Sequence, residues 1–205
     1  RPVAVEVMNA EAAQEIAAES RMELPAGCPI LCIGFEGGTR ETAWQASTLT
    51  DELAAAGIRD IVPITETEPL WFALTDFATS SDEPLTFQAN LRPSRVLEFM
   101  EAATAAGVSA AAHAANGIVI GHLPDRVTNV EAAAALLAPL QKLADDANGN
   151  LVIFDCDEQW KQVLPVFGRP VSGWGLMRKI KQQLDPRDIL NPGRLFAGET
   201  VSTSI

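Results

Sequence analysis

The chain has 205 residues, 47% hydrophobic and 20% charged, with 27 acidic against 15 basic residues and a formal net charge of −12. That length fits one domain or two small ones, with a core large enough to fold without disulfide staples. The charge disfavours nucleic acid and anionic membrane surfaces as partners, because phosphate attracts positive charge and no basic run offsets the acidic excess.

Taken in chain order, "VAVEVM" (residues 3–8) alternates with period two and reads as a strand; residues 10–20, rich in Ala and Glu, read as a helix. "PILCIGFE" (29–36) is a short apolar strand, and "GGTR" then turns into a helix over 39–56 that Gly57 closes. "IRDIVPI" (58–64) is expected to be a further strand, at an edge because of Pro63. The Thr- and Ser-rich "LTDFATSSDEP" (74–84) reads as a connector.

The same order then returns. "LTFQANL" (85–91) is a strand, and residues 92–107 form a helix with Pro93 in its first turn. "VSAAAHAANGIVIGHL" (108–123) gives two strand pieces around Asn116-Gly117. The next helix, 129–148, has Val130, Ala133, Ala134, Leu137 and Leu140 on one face and Pro139 inside it. "NLVIFDCD" (150–157) closes the unit as a strand after the Asn148–Asn150 turn. This repetition predicts an α+β fold. Duplicated ferredoxin-like units would form a mainly antiparallel sheet with helices on one face, followed by a C-terminal helix and tail.

Cys28, Cys32 and Cys156 are odd in number and lack zinc-ribbon or Cys-x-x-Cys spacing, so they read as reduced thiols of a cytoplasmic protein. No signal peptide is visible and the apolar runs are too short to span a bilayer, which excludes membrane insertion of the chain. The sequence opens at Arg1, without an initiator Met, as a piece of a longer chain would.

Candidate chemistry is sparse. "GFEGGTR" (34–40) joins a strand to a helix but has neither the Walker lysine nor the dinucleotide spacing, so an ordinary turn explains it. His113 and His122 lie on neighbouring strands if Asn116-Gly117 turns a hairpin, and could then approach each other. A metal would need more ligands than Asp125 adds, so no metal site is expected. Asp145, Asp146 and the "DCDE" group (155–158) read as solvated element ends rather than paired catalytic carboxylates.

The most specific stretch is "LMRKIKQQLDPRDILNPGRLFAG" (176–198), an amphipathic helix followed by a proline-stiffened tail. It resembles the C-terminal signature of FAD-linked oxidases of the vanillyl-alcohol oxidase type, a group that includes glycolate oxidase subunits and D-lactate dehydrogenases. "PILCIGFEGGTRETAWQ" and "VSAAAHAANGIVI" are similar to cap-domain segments of the same family. The resemblance implies a cap domain over 1–170 and a flavin-side helix and tail over 171–205, with the N-terminal FAD-binding domain absent from these residues. It implies Asn191, Pro192, Gly193 and Arg194 as flavin-side contacts and His113 as a candidate near the substrate. The cofactor would be FAD, held by the full-length parent and not by this fragment. Partners would be the chain's own FAD-binding domain, further subunits of a glycolate-oxidase-like complex, and a small 2-hydroxy acid.

The sequence also departs from that family. Glycolate and D-lactate enzymes carry a metal-binding histidine pair in the hairpin and a Glu-His-Gly motif before the last helix. Here the second histidine position is Ile120, and the later segment reads "RPVSGWGLMR" (169–178). The resemblance therefore runs to the flavin-binding, GlcE-type subunit of glycolate oxidase rather than to a metal-bearing catalytic subunit. The fragment alone would be inactive. The alternative is a non-catalytic module that assembles such a complex. With no partner surface present, the chain beyond Asp185 is expected to lose order.

Overall fold

The alternation of residues 3–8 becomes β1 (Ala4–Met8), which puts Glu6 and Met8 on one face and Val5 and Val7 on the other. The structure is a computed structural model that describes residues 1–79, 83–168 and 172–191. After β1 the chain forms α1 (Ala10–Ser20), β2 (Ile30–Gly34), α2 (Thr39–Ala55) and α3 (Glu68–Asp76). The second half gives β3 (Leu85–Asn90), α4 (Val96–Ala105), β4 (Ser109–His113), β5 (Ile118–His122), α5 (Val130–Asp146) and β6 (Asn150–Cys156), and α6 (Trp174–Leu184) follows. A 3-10 turn at Pro93–Arg95 leads into α4, where Pro93 loses no helical hydrogen bond.

The six strands form one sheet in the order β2-β1-β4-β5-β3-β6, and every pairing is antiparallel. Its β4-β5-β3-β6 portion is a complete split βαβ unit of the ferredoxin-like kind expected. The first half extends it by two strands through the β1–β4 pairing.

The predicted strand at 58–64 does not form. Pro63 removes a ladder donor, and Ile58 and Val62 are 47% and 71% exposed. The chain instead passes into α3, whose N-terminal part lies just before the segment read as a connector.

Helices lie on both sides of the sheet. Phe87, Ala110, Ala112 and Val119 point into the larger core with Val96, Phe99 and Ala103 of α4 and Ala133, Leu137 and Leu140 of α5. Met8, Ala111 and Ile120 point the other way, against Ala12, Ala13 and Ile16 of α1 and Leu70, Ala73 and Leu74 of α3. Fully burying a side chain of this size contributes about 1.5–3 kcal/mol, so both layers matter to stability. In the larger core a Cβ on Gly121 would lie 2.4 Å from the Phe87 ring, so this strand position holds a residue with no side chain.

Asn9 joins the layers. It caps α1 by accepting from the Ala12 N–H at 3.1 Å, accepts from the Ala110 N–H at 3.0 Å, and donates to the Val108 carbonyl at 2.7 Å. Every polar atom of this buried side chain is used, and the start of α1 is fixed to β4.

Candidate functional site

α1 and α3 cover only part of their face of the sheet. Towards the β4–β5 turn, strand register places one residue from each strand in a row: Cys32, Glu6, His113, Ile118, Asn90 and Asn150. Five of the six carry polar side chains, and apart from Glu6 all are partly or fully exposed. A row like this is what alternation yields where no helix covers the strand ends.

At its centre His113 Nδ1 lies 2.6 Å from Glu6 Oε2. The Glu6 side chain is 12% exposed and the His113 side chain 42%, so the carboxylate sits under the imidazole and the ring reaches the open face. The hydrogen bond to Glu6 favours the imidazolium and raises the His113 pKa against the opposing effect of burial. Cys32 stands across from Glu6, and burial, reinforced by the Glu6 charge, pushes its thiol up to about 11. Cys32 is therefore a neutral thiol at physiological pH.

The far end of the row is an amide relay. Gln88 Nε2 donates to Asn90 Oδ1 at 2.7 Å, and Asn90 Nδ2 donates to Asn150 Oδ1 at 2.8 Å. The hairpin that presents His113 turns at residues 114–117, as expected from Asn116-Gly117. Gly117 has φ +76, and a Cβ there would lie 2.0 Å from the Leu91 carbonyl oxygen.

The two histidines share a face but do not meet. His113 pairs with Ile118 and His122 with Ser109, which separates them by four residue steps, about 13 Å along an antiparallel pair. His122 is 1% exposed, stacks on Phe77 with centroids 4.2 Å apart, and holds Nδ1 3.2 Å from Glu15 Oε2. Glu83 lies nearby, bonded to Asp125. Burial first, then that bond and the surrounding carboxylates, raise it to about 7. Among the described residues no group of three or more His, Cys, Asp or Glu side chains is placed to hold a metal ion.

Of the predicted tail contacts, Pro192, Gly193 and Arg194 lie outside the described residues, and Asn191 closes the described tail in the left-handed conformation at φ 50. After α6 the described tail runs through a turn up to Asn191. The Asp185 carboxylate accepts from the N–H groups of Ile189 at 3.0 Å and Leu190 at 2.8 Å, and it pairs with Lys181. Lys181 also reaches Asp188 at 2.9 Å and donates to the Leu190 carbonyl at 2.6 Å. Above this turn α6 buries no side chain, and Leu176, Met177, Ile180 and Leu184 are exposed. The acidic groups behave as read: Asp146 pairs with Lys142 near the end of α5, and Asp157 accepts from the Gln159 N–H in a turn.

Sequence reasoning missed Glu6, which reads only as a polar step in an alternating strand. The available signal was that it is the one charge between valines, on the Met8 face. Its partner is 107 positions away, so the pairing exists only through the β1–β4 register.

The fold is an all-antiparallel sheet built on a ferredoxin-like unit, with one face that its helices only partly cover. The chain belongs to the family described as FAD linked oxidases, C-terminal domain, which matches residues 1–155 and 168–195. No curated protein matches the chain. Among the described residues no helix is long and apolar enough to cross a membrane.

The family links this domain to FAD. The amides and the imidazole of the row are groups that can hydrogen-bond the polar edge of a ring. The described residues include no Gly-rich phosphate loop to hold the pyrophosphate.

Proposed function

We propose that this chain is the cap of an FAD-dependent oxidoreductase, with residues 1–170 as the cap and 171–205 as the helix and tail that pack beside the flavin. On this reading it is of the GlcE type of glycolate oxidase subunit and takes part in oxidising a small 2-hydroxy acid such as glycolate or D-lactate. The observation that carries it is the polar row centred on Glu6 and His113, left open on the sheet face that α1 and α3 only partly cover. The flavin, bound by a separate FAD-binding domain, would supply the two-electron acceptor. The chain's own residues close the substrate side: His113 and the Asn90–Asn150 relay offer hydrogen bonds, and Asn191, Pro192, Gly193 and Arg194 contact the flavin side. Arg194 brings a permanent charge suited to a cofactor oxygen or phosphate.

The test is the visible spectrum of the flavin-loaded protein under anaerobic conditions, before and after glycolate or D-lactate, with and without partner subunits. Bleaching of the flavin supports the reading. A flavin that no 2-hydroxy acid reduces in the presence of those subunits overturns it.

The exposed apolar residues of α6, Leu176, Met177, Ile180 and Leu184, support a second reading as an assembly module. In that case removing the chain would break up the complex while the flavin chemistry of the remaining subunits persists.

A further inference from the structure

We infer that Ser109 Oγ and His122 Nε2 hold one ordered water molecule between them, in a buried binding site at the end of the sheet opposite the open row.

Strand register builds the site. Ser109 of β4 stands directly across from His122 of β5, and Thr86 of β3 flanks His122 on its other side. All three are buried, on the face of Ala111 and Ile120 that packs against α1 and α3. A second polar row therefore crosses the sheet four residue steps from the first, and the helices close this one to solvent. The His122 ring is held on two sides: Phe77 stacks on it with centroids 4.2 Å apart, and Glu15 Oε2 lies 3.2 Å from Nδ1.

Two polar atoms of this row are left over. Among the described residues, Ser109 Oγ and His122 Nε2 are both buried and both lack a hydrogen-bond partner. Buried polar side-chain atoms are nearly always paired, because an unpaired one forfeits its hydration and receives nothing in return. Here both fall on one cross-strand pair, whose Cβ atoms an antiparallel sheet holds about 4.5–5.5 Å apart. The two atoms make no direct bond, yet a single small molecule can reach both. With Nδ1 committed to the Glu15 carboxylate, Nε2 is the ring nitrogen left for it. A third unpaired buried atom, Glu83 Oε2, belongs to a carboxyl that feels the charges of His122 and Glu15, so this end of the sheet offers a water a further partner.

The chemistry of the pair selects water. A hydroxyl donates and accepts, and the ring nitrogen does one or the other according to its proton; water, with two donors and two acceptors, serves either arrangement. A larger ligand has no way in past α1, α3 and the Phe77 ring. A metal ion needs more ligating side chains than are grouped here among the described residues.

The experiment is a high-resolution crystal structure of the full-length protein, wild type and Ser109→Val, together with oxygen-17 relaxation dispersion of solvent water, which counts long-lived internal waters in solution. The wild type should show one water about 2.7–3.2 Å from both Ser109 Oγ and His122 Nε2. Ser109→Val fills the place of the hydroxyl with methyl groups that cannot bond, and it should lose that water and lower the solution count by one. Circular dichroism checks the fold. If valine disturbs it, Ser109→Ala, which removes one partner without adding bulk, should lower the occupancy of the same water. A wild-type structure in which Ser109 Oγ bonds His122 Nε2 directly, with nothing between, overturns the inference. So does a count and occupancy unchanged by either substitution. Density at about 2.0–2.1 Å from Nε2 would make the ligand a metal ion and overturn it as well.

Discussion

Asn9 and Val108 are 99 residues apart in sequence, yet the Asn9 amide donates to the Val108 carbonyl at 2.7 Å, and its oxygen serves both the start of α1 and the Ala110 N–H of β4. One side chain thus ties the first half of the chain to the second. Asn9→Ala removes a helix cap and leaves buried backbone groups unpaired, and these effects together cost about 2–4 kcal/mol. Chemical denaturation should show a lower midpoint with an unchanged slope, since the surface exposed on unfolding is the same.

Gly117 and Gly121 make a graded pair. Gly121→Ala would push a methyl against the buried Phe87 ring, which a small ring shift relieves in part, for a loss of about 1–3 kcal/mol. Gly117→Ala meets backbone, the Leu91 carbonyl, at a positive φ, and the Leu91 N–H bond to the Gly117 carbonyl at 2.6 Å must yield with it. The loss there should be on the order of 3 kcal/mol or more, because neither strain can be relieved by a rotamer. Thermal unfolding of the two variants should rank Gly117→Ala as the less stable.

The Glu83–Asp125 contact predicts stability that falls as pH rises. Glu83 is raised from its ordinary 4.5 to about 7 in the fold, so between those values the folded state holds a proton that the unfolded chain has released. Its contribution is complete below about 4.5 and lost as pH rises through about 7. His113 acts in the same sense, since its pKa is also raised and its contribution fades as pH climbs through the folded value. Glu83→Gln separates the two. Melting temperatures across this range should flatten in the variant, and Glu6→Gln should remove the remaining slope.

How much of this was legible depended on how local the signal was. The βαββαβ order of the second half could be read because each element carries its own period and punctuation, from Pro93 to Asn116-Gly117 and Asn148-Gly149. α3 was missed although Leu70, Ala73, Leu74 and Phe77 have helical spacing, because the Thr- and Ser-rich residues that follow drew its second half into a connector. Helices on both faces could not be read from β4, since "SAAAH" gives Ala110, Ala111 and Ala112 no difference in polarity by which to tell the two sides apart. His113 was singled out early, whereas its partner Glu6 follows only from strand register, which no local pattern supplies.

The turn after α6 predicts a protected tail whose protection depends on one carboxylate. Asp185 holds residues 189 and 190 through their N–H groups, and Lys181 binds Asp185, Asp188 and the Leu190 carbonyl together. Lys181, with the Ile189 and Leu190 N–H groups, keeps the Asp185 pKa below its ordinary 3.8, so the turn persists into mild acid and opens only as pH falls through that lowered value. Arg187 lies inside the turn and offers trypsin a cleavage site that requires local opening. Cleavage that follows the open population should be several-fold faster at Arg187 in Asp185→Ala than in wild type. Lys179, outside the turn, serves as the internal reference site, and equal rates at Arg187 in the two proteins would show that Asp185 does not hold the tail.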